Sequence, residues 1–461
     1  MKFINRKREL NALEKLWNKR EAQLVVIYGK RRIGKTELIK QFINNKPHIY
    51  FLAQRINEVE NLRSLGEAVG EFFKDEILKT TGFTDWKVFF EYIKNQIKEK
   101  VILVLDEFPF LAEANKGISS IFQAGWDEKL RQSPVFLILC GSSIGLMETE
   151  VLSQKAPLFG RRTAQIFLKP FFFFEASKFY PHLSFERCLE FYSITGGNPS
   201  YLKQLHPRFS LEKNIKENIF QPESFLYREV EFILREDLRE PRNYFAILKA
   251  IALSKNRISE IVNETGLEKG ILHKYLFILE DLHVIQKEVP VTEKNPLKSR
   301  KGLYKLQDQF FRFWFRFVLP NRRYIEEGRT EYALKKTKKE FLSLVADNYE
   351  KVSQEIILRH EDRFFPIEKI GHWWDRQEEI DIVALNEERK EICFGEVKWT
   401  RKPVGIDIYQ NLKRKSQRVD WKKRERKEHF CLFSKSGFTD NMLSLAKKEN
   451  VFLFHKDKLI E

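Results

Sequence analysis

LVVIYGKRRIGKTELIK, Leu24 to Lys40, decides the fold. The apolar, β-branched run LVVIY reads as a buried strand, and TELIKQFI resumes at helical spacing. Between them Gly29, Lys30, Arg31, Arg32, Ile33, Gly34, Lys35 and Thr36 follow the spacing GxxxxGK[ST]. Glycines at both ends let the backbone curl, so that successive N–H groups and the N-terminus of the helix face an anion. In that setting Lys35 reaches the β- and γ-phosphates of a nucleotide and the Thr36 hydroxyl holds Mg²⁺. A glycine turn of purely structural use is the alternative.

A second strand signal supports the first. VILVLDEFP is an apolar run that ends in Asp106 and Glu107, delivering two acids to the C-terminal edge of a sheet, where open parallel sheets place their ligands. Asp106 would orient the Mg²⁺ shell and Glu107 would polarise an attacking water. VFLILCGSS ends in Ser142 and Ser143, where Ser142 could touch a γ-phosphate or simply close a turn. In PLFGRRT, Arg161 or Arg162 offers the rigid donor fork that a developing phosphoryl charge needs, in cis or from a neighbouring subunit. A surface ion pair is the other reading of both.

The chain has 461 residues, more than one hydrophobic core normally supports, so two or three domains are expected. No run of about twenty uncharged apolar residues occurs and the first residues are highly charged, so the expectation is a soluble, cytoplasmic protein without membrane association. Cys140, Cys188, Cys393 and Cys431 show no metal-binding spacing and read as reduced, buried thiols. The net charge of +17 favours a polyanionic partner. The surplus is uneven: Arg401 to Glu428 holds eleven cations against four acids, and Lys294 to Lys305 holds five cations and no acid.

Four segments separate by pattern. Residues 1–170 alternate short apolar runs with amphipathic stretches, as strands and crossover helices of a parallel sheet do. Residues 171–240 read as helical, 241–335 as a small helical segment with two extended pieces, and 340–461 as mixed α and β. KKTKK, Lys335 to Lys339, reads as a hinge into the last segment.

FINRKRELNALEKL, GKRRIGKT, LDEFPFL, LILCGSS, PLFGRRT, LKPF and TGGNPSYL occur in the order found in archaeal-type ATPases with a DEXX box, of the STAND-like branch of the AAA+ class, which this chain resembles. The resemblance continues through PRNYFAILKAIA and VTEKNPLKSRKGLYKLQDQFFRFWFRFVLPN, similar to the C-terminal region that accompanies those ATPases. It implies a P-loop NTPase sheet with a helical lid. It also implies that Phe3, Ile4 and Arg6 lie near the nucleotide base, and that Gly196, Gly197 and Pro199 form a GGxP element whose helix closes over the phosphates.

From Tyr244 to Val291, three helical patterns and two extended pieces, with a basic loop between those pieces, read as a winged helix. Glu268, Lys269, His273 and Lys274 on the third helix would face a groove of DNA, and Lys294, Lys298, Arg300 and Lys301 would meet phosphates. Rigid spacing or a protein contact is the alternative use.

The tail holds NYEKVSQEIILRH and WWDRQEEIDIVALNEERKEICFGEVKWTRKP. Asp381, Glu396 and Lys398 fall at the spacing of PD-(D/E)xK nucleases, and Glu350 matches the acid of their first helix, although Ile380 stands where the signature has proline. Two carboxylates from adjacent strands can hold Mg²⁺ or Mn²⁺ against a scissile phosphate while the lysine positions water. A salt bridge with Lys398 is the alternative. The combined expectation is an α/β protein: a P-loop ATPase, a winged helix and a restriction-endonuclease-like domain. Such a protein would bind ATP and Mg²⁺, act on DNA, and possess a homo-oligomeric or protein partner. The rival is an ATP-switched regulator that does not cut.

Overall fold

Gln23–Tyr28 (β1) is buried at every position, as a central parallel strand covered by helices on both faces must be. In the computed structural model, which describes residues 3–238 and 241–460, the chain divides into two compact units. The expected boundary at 240, Met1 and Lys2 of the first segment and Glu461 of the last lie outside the described residues.

The first unit comprises residues 1–170 with Asn198–Ser200. Its other strands are His48–Leu52 (β2), Val101–Asp106 (β3), Val135–Gly141 (β4) and Ala164–Phe167 (β5). They pair in parallel in the order β2-β3-β4-β1-β5, so the ends of β1 and β3 lie on either side of β4 at one edge of the sheet. Side-chain caps start the flanking helices locally: Asn57 accepts from Glu60 N–H before Glu58–Phe73, and Asp85 from Lys87 and Val88 N–H before Trp86–Gln96. One face of the sheet packs on Leu65, Phe89, Trp86 and Phe122, the other on Leu38, Ile39 and Phe42.

The second unit comprises residues 171–197 and 201–461. Helices Phe185–Thr195, Leu211–Asn218 and Glu229–Asp237 come first. Helices Pro241–Ala252, Ile258–Thr265 and Lys269–Asp281 follow, with Gly266 in the left-handed region (φ 69°) ending the second of them. Ile285–Glu288 (β6) and Leu303–Leu306 (β7) then form an antiparallel ribbon. The remaining strands are Lys369–Trp374 (β8), Glu379–Asn386 (β9), Glu391–Lys398 (β10), Lys427–Ser434 (β11), Phe452–His455 (β12) and Lys458–Ile460 (β13). They make a mixed sheet in the order β13-β12-β11-β10-β9-β8, parallel only at β10-β11 and β11-β12. A continuous core from Phe171 to Phe454 joins the helical segments to this sheet.

The expected hinge at Lys335–Lys339 is corrected. A single helix, Thr330–Arg359, runs unbroken across it. The four lysines there are exposed while Thr337 is buried and donates to the Ala333 carbonyl at 2.9 Å, so the charge run is the solvent face of a packed helix. All four cysteines are free and buried. Among the described residues no helix is long and apolar enough to cross a membrane.

Candidate functional site

The turn after β1 is built for a close backbone approach. Gly29 (φ 150°) lies against Leu168, whose carbonyl oxygen would stand 2.5 Å from a Cβ added there. Arg32 (φ 63°) and Gly34 (φ 91°) are left-handed, and Gly34 caps the helix Lys35–Ile43. These reversals turn consecutive amides inward above the helix N-terminus. Lys35 spans the concavity, donating to the carbonyls of Gly29 at 2.9 Å and Lys30 at 3.0 Å. Burial pulls its pKa down, against the carboxylates of Glu107 and Asp106. A lysine only 5% exposed and tied to the rim of its own loop is positioned before any anion arrives.

Thr36 donates its hydroxyl to Asp106 Oδ2 at 2.9 Å, joining the two sequence signals across 70 residues. Tyr50, in the middle of β2, donates to the same oxygen at 2.6 Å, and burial followed by that bond raises its pKa. Tyr50 was missed from the sequence because an aromatic in HIYFLA carries no motif. Only the pairing of Leu52 with Asp106 brings β2 alongside. One carboxylate oxygen held by two hydroxyls, with Lys35 nearby, has the donor chemistry of an octahedral Mg²⁺ shell, so the residues fit that ion.

Glu107 adopts φ 55°, an uncommon conformation for glutamate that aims its carboxylate back at β4. Ser142 meets it twice, through its hydroxyl and through its N–H at 3.1 Å. Ser142 therefore touches the second acid. Arg162 donates to the Leu152 carbonyl at 3.1 Å and stacks on Phe159, while Arg161 pairs with Asp127 at 2.9 Å. Arg6 donates to the Ile33 carbonyl at 3.2 Å, bracing the loop from outside. Ser200 donates to the Arg32 carbonyl at 3.0 Å, and Pro199 would lie 3.8 Å from a Cβ on Gly34, so the end of GGNPS rests on the phosphate loop. Lys30 and Arg31 lie on the rim between the two glycines.

In the second unit, Asp381 on β9 and Glu396 and Lys398 on β10 converge. Asp381 Oδ2 accepts from Val397 N–H at 2.8 Å, and Lys398 Nζ lies 2.8 Å from Glu396 and 3.9 Å from Asp381. Lys415, from the helix Ile406–Ser416, also reaches Glu396, at 3.2 and 3.3 Å. Sequence reading missed it because it was counted only as one of the eleven cations between Arg401 and Glu428. Burial, then the neighbouring Glu396 charge, pushes Asp381 up to about 6. Burial and Asp381 push Glu350 up to about 8. Burial opposes the charge of Lys398, but Glu396 and Asp381 outweigh it and raise its pKa.

Glu350 and Asp381 line a cavity of about 590 Å³ with Arg257, Lys305, His372 and Lys415. Asp381, raised chiefly by burial and then by the Glu396 charge, thus stands beside a second carboxylate that is already paired with Lys398 and Lys415. Among the described residues no three His, Cys, Asp or Glu side chains are gathered as a ready metal cage.

Residues 3–205 match an ATPase domain found predominantly in Archaea, and residues 314–418 match a family of archaeal and bacterial proteins of unknown function. An uncharacterized protein of Methanocaldococcus jannaschii is 35% identical over 427 residues, spanning 90% of this chain and 92% of that protein. Among solved structures, a Walker-type ATPase of Pyrococcus abyssi aligns with a TM-score of 0.52 at 23% identity, over 68% of this chain and 96% of that one. That likeness is one of fold, the parallel P-loop NTPase sheet. With nearly all of the M. jannaschii relative matched, the chain belongs to the family that joins this predominantly archaeal ATPase domain to this C-terminal region.

Proposed function

We propose that the protein binds and hydrolyses ATP and couples the change to DNA held by its C-terminal half. The observation that supports it most strongly is the linkage of Lys35, Thr36 and Asp106 around one amide-lined turn. Lys35 would move from the Gly29 and Lys30 carbonyls to the β- and γ-phosphates. Thr36 and Asp106 would hold Mg²⁺, which when bound offsets charge on those phosphates. Glu107, freed from Ser142, would take a hydrogen bond from the attacking water. Arg162 would act only after leaving the Leu152 carbonyl, or from another subunit.

The three helices and ribbon from Pro241 to Leu306 read as a winged helix, the helices before it as a lid, and the mixed sheet as a nuclease-like domain. Exposed Lys294, Lys298, Arg300 and Lys301 beside the ribbon would meet the phosphates of DNA. Asp381 and Glu396 would hold a divalent ion beside Glu350, and that ion, when bound, polarises a phosphodiester. Lys398 would orient the water.

Isothermal titration of ATP with Mg²⁺ tests the first half: binding is expected in the native chain and lost in Lys35→Ala. Incubation of linear and branched DNA with Mn²⁺ tests the second, with cutting expected in the native chain and absent in Glu396→Ala. A non-cutting regulator is the second reading, favoured by the two lysines that already neutralise Glu396. Intact DNA in every reaction, with retained DNA binding, would establish it.

A further inference from the structure

The helix Lys269–Asp281 turns Leu272, Leu276 and Leu279 into the core, each at most 1% exposed. Its opposite side is not the polar surface expected of a groove reader. Phe277 is 70% exposed, Ile278 39% and Ile271 42%. Lys274, Phe277, Ile278 and Asp281 share that face at the i, i+3, i+4, i+7 spacing. Gly270, on the same side a turn earlier, has open space around the position of a Cβ. Lys274 and Asp281 are exposed, and neither has an ion-pair partner among the described residues.

The order of these residues is self-inverse. Lys274 lies one turn before the Phe277–Ile278 centre and Asp281 one turn after it. Read in the opposite direction, the face offers an acid where it had a base. We propose that this face is the contact surface for a second copy of the chain, the two helices meeting antiparallel about a two-fold axis. Phe277 then packs on Ile278 of the second copy, and Lys274 meets Asp281 of the second copy on both sides of the centre. A parallel pair would oppose like charges instead. Asp281 would repel the phosphates of DNA, and an apolar centre has nothing to offer base edges beyond thymine methyls. One helix pair covers less than the roughly 1,200–2,000 Å² of a stable interface, so the association is concentration-dependent.

Sedimentation velocity on the full chain across a concentration series tests the pairing. The mean mass is expected to rise toward that of two chains. Lys274→Asp or Asp281→Lys alone should move the transition to about tenfold higher concentration. The doubly exchanged Lys274→Asp/Asp281→Lys chain should recover it, a rescue that a folding defect cannot produce. Phe277→Ser should remain monomeric with an unchanged melting temperature. A native chain that stays monomeric, single reversals without effect, or a double exchange that fails to recover would overturn the proposal. So would a Phe277→Ser chain that loses duplex affinity while the native mass never changes, which would assign the face to DNA.

Discussion

Tyr50 donates its hydroxyl to Asp106 Oδ2 at 2.6 Å, on the same oxygen that receives Thr36 at 2.9 Å. Partners of this kind orient a ligating carboxylate, and their loss typically weakens a metal about tenfold or more. Tyr50→Phe is therefore expected to raise the Mg²⁺ concentration for half-maximal ATP hydrolysis by about tenfold. A Mg²⁺ titration of hydrolysis rate with an unshifted midpoint would show that Tyr50 only fills space.

Gly197 is a tight point of the second unit, where an added Cβ would stand 1.8 Å from the Phe171 carbonyl oxygen and 2.5 Å from its nitrogen. Backbone cannot yield as a side chain does. Gly197→Ala should cost at least ~2 kcal/mol, read as a lowered urea midpoint. Gly160→Ala, with nothing within 4 Å, is the control and should change stability by less than about 0.5 kcal/mol.

His372 lies among Lys305, Glu288 and Lys351, with Gln354 Nε2 at 3.3 Å from its Nε2. Burial, reinforced by Lys305, lowers its pKa from 6.5 to about 4. Between those values the unfolded chain binds the proton and the folded chain does not, so protonation favours unfolding. The stability contributed by neutral His372 is complete above pH 6.5 and lost as pH falls toward 4, amounting to roughly 1–3 kcal/mol. Asp381 and Glu350, raised to about 6 and about 8, contribute the opposite trend over this range, so the measure is the stability of the native chain relative to His372→Gln in urea melts at pH 7, 5.5 and 4.5, which should fall as pH falls.

Lys415 is 8% exposed and shares Glu396 with Lys398. Removing it leaves the carboxylate with one cation. Lys415→Ala should cost roughly 1–3 kcal/mol without divalent ions and regain part of that with Mn²⁺, which then has less positive charge to displace. Thermal melts with and without Mn²⁺ measure both effects. A variant destabilised equally in either condition would argue that Glu396 serves packing alone.

What could be read before folding was whatever lay contiguous in the chain. Gly29 to Thr36 carries strand, turn and helix in one stretch, and Asp106 and Glu107 announce themselves by ending an apolar run. Tyr50 and Lys415 acquire meaning only through packing, one by the pairing of β2 with β3 and the other by a helix laid over β10. The reading of Lys335–Lys339 as a hinge failed for a related reason. Charge density marks exposure, and an exposed helix face is as charged as a linker until its buried side is counted. Phe277 and Ile278 escaped notice because only the polar residues Glu268, Lys269, His273 and Lys274 of that helix were read for an outward face.

The unbroken helix Thr330–Arg359 has a mechanical corollary. Thirty residues make a rod of about 45 Å. Near its end Glu355 accepts from the N–H groups of Phe173, at 2.9 Å, and Phe174, at 3.3 Å, while Glu350, little more than a turn away, faces the cavity beside Asp381. One continuous length of hydrogen-bonded backbone therefore fixes both carboxylates, so the anchorage of Glu355 at Phe173 and Phe174 also sets where Glu350 stands beside Asp381.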